Sequence, residues 1–201
     1  MHPSSGPPAR IAVIGIGNDH RRDDGVGWAV VAGLARRRLP RGIALFRSDG
    51  EPSRLLAAWD GARTAIVVDA ARCRPSPRPG RVHRFGLHEA CRRSSPAGTS
   101  SHGFALADAV ELARVLGRLP GELLLYAVEA ADTGPGRTLS PPVAAAVRPL
   151  VARIARDLAL LGGEGPVGSP AQALGPCPGP VARADPDAGG RAREVRHGQD
   201  P

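Results

Sequence analysis

The chain has no lysine; all 27 of its basic residues are arginine. That bias reads as GC-rich coding rather than as a functional device. Aromatic residues make up 3% of the sequence. Little is therefore available to stack on bases, which argues against a nucleic-acid binder despite the net charge of +8. The arginines are scattered rather than packed on one helix, so a docking surface for an acidic protein partner fits the charge equally well. There are three cysteines, Cys73, Cys91 and Cys177, and no CxxC pair. An odd count without metal spacing suits reduced thiols and a cytoplasmic protein. The opening MHPSSGPPAR lacks an apolar core for an export signal, and no apolar run is long enough to span a membrane. At 201 residues the chain suits one domain with extra segments.

What is present is concentrated in one stretch, IAVIGIGNDHRRDDGVGWAVVAGL, from Ile11 to Leu34. Ile11 to Ile14 is a continuous apolar run, the pattern of a strand covered on both faces. Gly15 and Gly17 allow a sharp turn and a close approach of backbone. Asp23 and Asp24 precede a helical pattern at Val26, Val30, Val31 and Leu34. One of the pair is expected to be a helix N-cap. A dinucleotide fingerprint is excluded by His20, where its third glycine would stand, and by two carboxylates that would repel a pyrophosphate. A loop presenting carboxylates beyond a strand end suits a cation better.

Further strands are expected at Gly42–Phe46, Thr64–Val68 and Leu123–Val128, with a short one at Arg81–Phe85. Helices are expected at about 52–60, 103–117 and 141–161. Ser100 or Ser101 would cap the second of these, and Ser140 with Pro141 would open the third. The alternation predicts an α/β fold, a three-layer α/β/α sandwich around a mostly parallel twisted sheet of about five strands. Residues 1–9 read as a flexible N-terminus and 10–162 as the domain. Within it, 72–100 is a long Arg/Pro-rich surface loop, and 163–201 is a disordered Gly/Pro/Ala-rich tail.

Ligands of such sheets bind beyond the carboxyl ends of the strands. Asp24 follows the first strand, Asp69 ends the TAIVV strand, and His102 opens a helix. Two carboxylates and an imidazole suit a borderline divalent ion such as zinc or nickel. A helix N-terminus would keep the imidazole neutral and able to coordinate. Each residue also has a plainer reading as cap, turn or solvated residue, and their separations are not those of a metal motif. A second set, His83, His88 and Cys91, lies in the long loop. No nucleophile with a base and orienter is visible.

The run GIGNDHRRDDGVG resembles the N-terminal signature of the hydrogenase maturation endopeptidases. Two further blocks, AIVVDA and SSHGFALADAVELARVLGRLP, follow in the family's order. LSPPVAAAVRPLVARI resembles its closing helix, so the likeness spans about residues 10 to 160. The resemblance implies a metal-dependent endopeptidase that removes the C-terminal extension of a nickel-loaded [NiFe] hydrogenase large-subunit precursor. Asp24, Asp69 and His102 then stand where the family contacts nickel, carried by the substrate rather than bound at rest. The resemblance also assigns substrate contacts to Asn18 and to Asp49, Gly50 and Glu51. Only Asp49-Gly50 of the family's usual DGGT-like turn is kept, which would mark a subgroup with its own hydrogenase. The expected partner is that precursor, with no nucleic acid, no membrane and a monomeric protease. Two rivals remain: a non-cutting module that holds the precursor, and a nucleotide-binding domain using Gly15, Gly17 and the helix start at Gly25.

Overall fold

Strand β1 spans Ile11–Ile16, β2 Ile43–Ser48, β3 Thr64–Ala71, β4 Val82–Gly86 and β5 Glu122–Glu129. Helix α1 spans Val26–Ala35, α2 Pro52–Trp59, α3 Ser101–Val115 and α4 Pro141–Gly162. A 3-10 turn, Arg22–Gly25, leads into α1. This computed structural model describes residues 10–73, 75–86 and 101–162, the side chains of 101–105 and 162 excepted. The expected N-terminal segment 1–9 and tail 163–201 lie outside the described residues.

The sheet order is β2-β1-β3-β5-β4. The first four strands in that order are parallel, and β4 adds antiparallel to β5 at the edge. β1 and β3 are buried along nearly their whole length, as continuous apolar runs in a parallel sheet should be. Alternate residues feed two separate cores. Ile11, Val13, Ile66, Val68, Leu124, Tyr126 and Val128 pack against α1 and α4. Ala12, Ile14, Ile16, Ala65, Val67 and Leu123 pack against α2 and α3. This is the expected three-layer sandwich.

The chain steps from β1 to β2 on one side and returns to place β3 on the other. The order therefore reverses between β1 and β3, the switch point beyond whose carboxyl ends such sheets bind their ligands. The short strand expected at Arg81–Phe85 within segment 72–100 is β4, Val82–Gly86. Its register runs from Val82↔Val128 to Gly86↔Leu124. The strand TAIVV does not stop at Asp69. Pairing with β1 ends at Gly15↔Val68, whereas pairing with β5 continues through Asp69↔Ala127 to Ala71↔Glu129. Asp69 is thus the first residue of β3 beyond its ladder with β1.

Candidate active site

The backbone leaves β1 through Gly17, whose N–H donates to the Ser48 carbonyl at 3.0 Å. Gly17 has φ +149°, and a Cβ there would lie 1.9 Å from the Asp24 carbonyl oxygen. Only glycine accommodates both conditions. Asn18 then closes a local turn, its side-chain oxygen accepting the His20 N–H at 2.9 Å.

The β1–α1 loop is zipped onto the β5–α4 loop. The Arg22 N–H donates to the Gly136 carbonyl at 2.8 Å, and the Gly136 N–H donates to the His20 carbonyl at 2.9 Å. The Asp23 N–H donates to the Asp132 carbonyl at 3.1 Å. The Arg22 guanidinium pairs with the Asp132 carboxylate at 3.2 Å.

Asp23 is not the helix cap that the sequence suggested, and neither is Asp24. Neither the 3-10 turn nor α1 has a side-chain cap, and the residue preceding α1 is Gly25. Asp23 is fully buried and reaches across to the opposite loop. Its carboxylate accepts the N–H groups of Ala131, Asp132 and Ser140 at 2.9, 3.0 and 2.6 Å, and the Ser140 hydroxyl at 2.8 Å. Burial opposes its charge. The N–H groups of Asp132 and Ser140, the Ser140 hydroxyl and the Ala131 N–H outweigh that and hold the carboxyl below its usual 3.8.

Asp24 directly follows the clamped Asp23. It is 3% exposed and lies in the turn that rests on β3. The start of α1 is drawn down by Gly27, where a Cβ would stand 2.3 Å from the Ile16 carbonyl and 2.5 Å from that of Val68. That contact spans the ends of β1 and β3. Asp69 is also buried, 5% exposed, and its Oδ1 accepts the N–H of Ala70 at 2.8 Å. It continues the alternation of Ala65 and Val67, which face α2 and α3. α3 precedes the parallel strand β5, so it begins at the carboxyl edge on this same face. His102 falls in the first turn of α3; its side chain lies outside the described residues, as do His88 and Cys91.

The loop after β2 has its own structural duties. Glu51 caps α2, its carboxylate accepting the N–H groups of Ser53 and Arg54 at 3.2 and 3.0 Å. Asp49 accepts the Glu51 N–H at 3.2 Å and pairs with Arg54 at 2.7 Å. Gly50 takes φ +90° between them. The glycines of the nucleotide reading are filled by the chain itself, since a Cβ on Gly15 would meet the Gly27 carbonyl at 2.2 Å. The cradle is occupied by helix backbone.

One constellation escaped the sequence. His83 stands beside Cys73 and Glu129, all three side chains offering ligand atoms within 4.8 Å of one another. Glu129 follows the apolar run Leu123–Val128 just as Asp69 follows TAIVV, and it is 3% exposed; what the sequence could not show is that register brings Cys73 and His83 beside it. No helix among the described residues is long and apolar enough to cross a membrane.

Comparison with known proteins agrees with this architecture. The family described as Hydrogenase maturation protease matches residues 29–157, a segment that holds Asp69 and His102 and starts just after Asp24. The hydrogenase expression/formation protein HupM of Azotobacter chroococcum mcd 1 is 30% identical over 200 residues, covering 96% of this chain and 93% of its own. HupD of Bradyrhizobium diazoefficiens is 28% identical over 151 residues, 74% of this chain and 78% of its own. Among solved structures, the hydrogenase maturating endopeptidase HybD of E. coli superposes with a TM-score of 0.68 at 25% identity, covering 75% of this chain and 93% of that one. HybD of Thermococcus kodakarensis, a [NiFe] hydrogenase maturation protease, gives 0.61 at 25% identity over 75% and 99%. A family match over more than half of the chain, a relative aligned along nearly all of it and a superposable fold make this chain a member of the hydrogenase maturation proteases.

Proposed function

We propose that this protease cuts the C-terminal extension from a [NiFe] hydrogenase large-subunit precursor once nickel is in place. Asp24, Asp69 and His102 read the metal. The observation that carries the reading is the pair of buried carboxylates, Asp24 and Asp69, at the carboxyl ends of adjacent strands where the sheet order reverses. The start of α3, which bears His102, supports it from the same edge. Two carboxylates and an imidazole are a donor set suited to nickel.

The chain's own contribution is placement. The Asp23 clamp and the Gly27 contact hold the Asp24 backbone, and pairing with β5 holds Asp69. Preformed carboxylates meet the substrate's nickel without reorganisation. Nickel at this edge would supply Lewis-acid polarisation of the scissile carbonyl. Asp24 or Asp69 is then available as general base toward a water molecule. Asn18 and the Asp49–Glu51 turn follow the carboxyl ends of β1 and β2 and are the proposed substrate contacts. The protease works as a cytoplasmic monomer with residues 10–162 as its catalytic domain.

The test uses the full chain with a precursor in nickel-loaded and nickel-free forms, followed by mass measurement. Loss of a C-terminal peptide only from the loaded form, abolished by Asp24→Asn and by His102→Ala, is expected. Binding with no change of mass means a precursor-holding module instead.

A further inference from the structure

We propose that Cys73, His83 and Glu129 form a second metal site, separate from Asp24, Asp69 and His102, that takes a zinc-like divalent cation. The ligand atoms come from the end of β3, from β4 and from the last residue of β5. Cys73 sits two residues past Ala71, and Ala71 pairs with Glu129. His83 is paired with Ala127, two residues before Glu129. Strand register, rather than a local motif, gathers the three.

Two chemistries use a cysteine, a histidine and a carboxylate, and the geometry separates them. In a nucleophilic triad the thiol and the carboxylate bond opposite nitrogens of the ring. Two hydrogen bonds of about 3 Å and the ring between them would hold sulfur and carboxylate oxygen roughly 6 Å or more apart. Here all three ligand atoms lie within 4.8 Å of one another. Convergence on a single point is the arrangement of a metal site. Around zinc, the edges of such a tetrahedron are roughly 3.3–3.6 Å, so the Cys73 thiol needs to close by no more than about 1.5 Å while His83 Nε2 and Glu129 Oε1, now 2.6 Å apart, open by less than about 1 Å.

The surroundings fit as well. Glu129 Oε1 meets His83 Nε2 at 2.6 Å, and Oε2 accepts the Arg78 N–H at 2.5 Å. The backbone contact fixes the carboxylate and leaves the oxygen nearer His83 to face the cluster. His83 is further held by stacking on Phe85, with ring centroids 5.8 Å apart. Cys73 borders a cavity of about 560 Å³ that Arg72, Pro75, Pro77 and Asp132 also line, which offers an entry path. Thiolate, imidazole and carboxylate together select a borderline-soft ion. Three protein ligands leave a fourth position for water or a substrate group.

The experiment titrates the full chain, stripped of metal, with Co²⁺ alone and with Zn²⁺ alone. One Co²⁺ per chain with a thiolate-to-metal charge-transfer band is expected, and Zn²⁺ should bleach that band. A thiolate band cannot come from Asp24, Asp69 and His102, so it must survive Asp24→Asn and Asp69→Asn. It should vanish in Cys73→Ser, while His83→Ala weakens binding at least 100-fold (the order expected for loss of a ligand). Circular dichroism of metal-free Cys73→Ser checks its fold. Absence of stoichiometric binding at micromolar metal overturns the proposal. So does a band that persists in Cys73→Ser and disappears in the double variant Cys91→Ser with Cys177→Ser. None of these readings depends on peptidase activity.

Discussion

The carboxylate of Asp23 accepts both the backbone N–H and the hydroxyl of Ser140, a residue 117 positions later in the chain. Through that contact the loop carrying Asp24 is fastened to the start of α4. The first acid of the Asp-Asp pair serves the fold; the second, Asp24, is the one proposed to meet the metal.

Replacing Asp23 with Asn turns one acceptor oxygen into a donor that faces other donors. The expected cost is about 3 kcal/mol, read as a lower urea midpoint with an unchanged slope. The sign with pH follows from the lowered pKa of Asp23 in the fold. Its contribution is complete above the unfolded value near 3.8 and is lost as pH falls through the lower folded value. The stability gap between the native chain and Asp23→Asn should therefore narrow below about pH 4, as urea titrations at stepped pH will show.

Gly27→Ala should cost about 3 kcal/mol, because its Cβ would run into two carbonyl oxygens that belong to the sheet. Cleavage should fall as well, since relief of the clash lifts the start of α1 and the Asp24 turn with it. Gly86→Ala is the control: nothing lies within 4 Å of its Cβ, and its melting temperature should match that of the native chain.

Asp69→Asn keeps a side-chain oxygen for the Ala70 N–H and so should fold normally. Cleavage of a nickel-loaded precursor should nonetheless drop by at least about 100-fold. Equal melting curves together with lost cleavage are the expected pair of measurements; unchanged cleavage would remove Asp69 from the site.

Glu51 offers a way to separate capping from recognition. Glu51→Ala removes the cap of α2 and should lower the denaturation midpoint, whereas Glu51→Asn retains a capping side chain and should restore it. If Glu51 also touches the precursor, KM will rise in both variants while only the first loses stability.

Much of the architecture was legible before any coordinates. The short apolar runs at Ile11–Ile14 and Ala65–Val68 suit strands buried on both faces, and both are. Val26, Val30 and Leu34 repeat with the helical period, and all three are buried against the sheet. Asp24 and Asp69 could be singled out because Asp69 directly follows the apolar run TAIVV and Asp24 lies in the loop after the first strand, both toward the edge where ligands of such sheets bind. Local period and local order carry that information, and both survive in a one-dimensional string.

What the string alone determined is therefore the layer order, the strands and the carboxylates at their ends. Tertiary structure decided which of two adjacent aspartates is a clamp, because the partners of Asp23 lie on a loop more than a hundred residues away. It also carried β3 past Asp69 through pairing with β5, and it drew together Cys73 from just past β3, His83 from β4 and Glu129 from β5. Hydrogen bonds and ligand convergence act across space rather than along the chain. They become visible only after register has brought distant residues into contact.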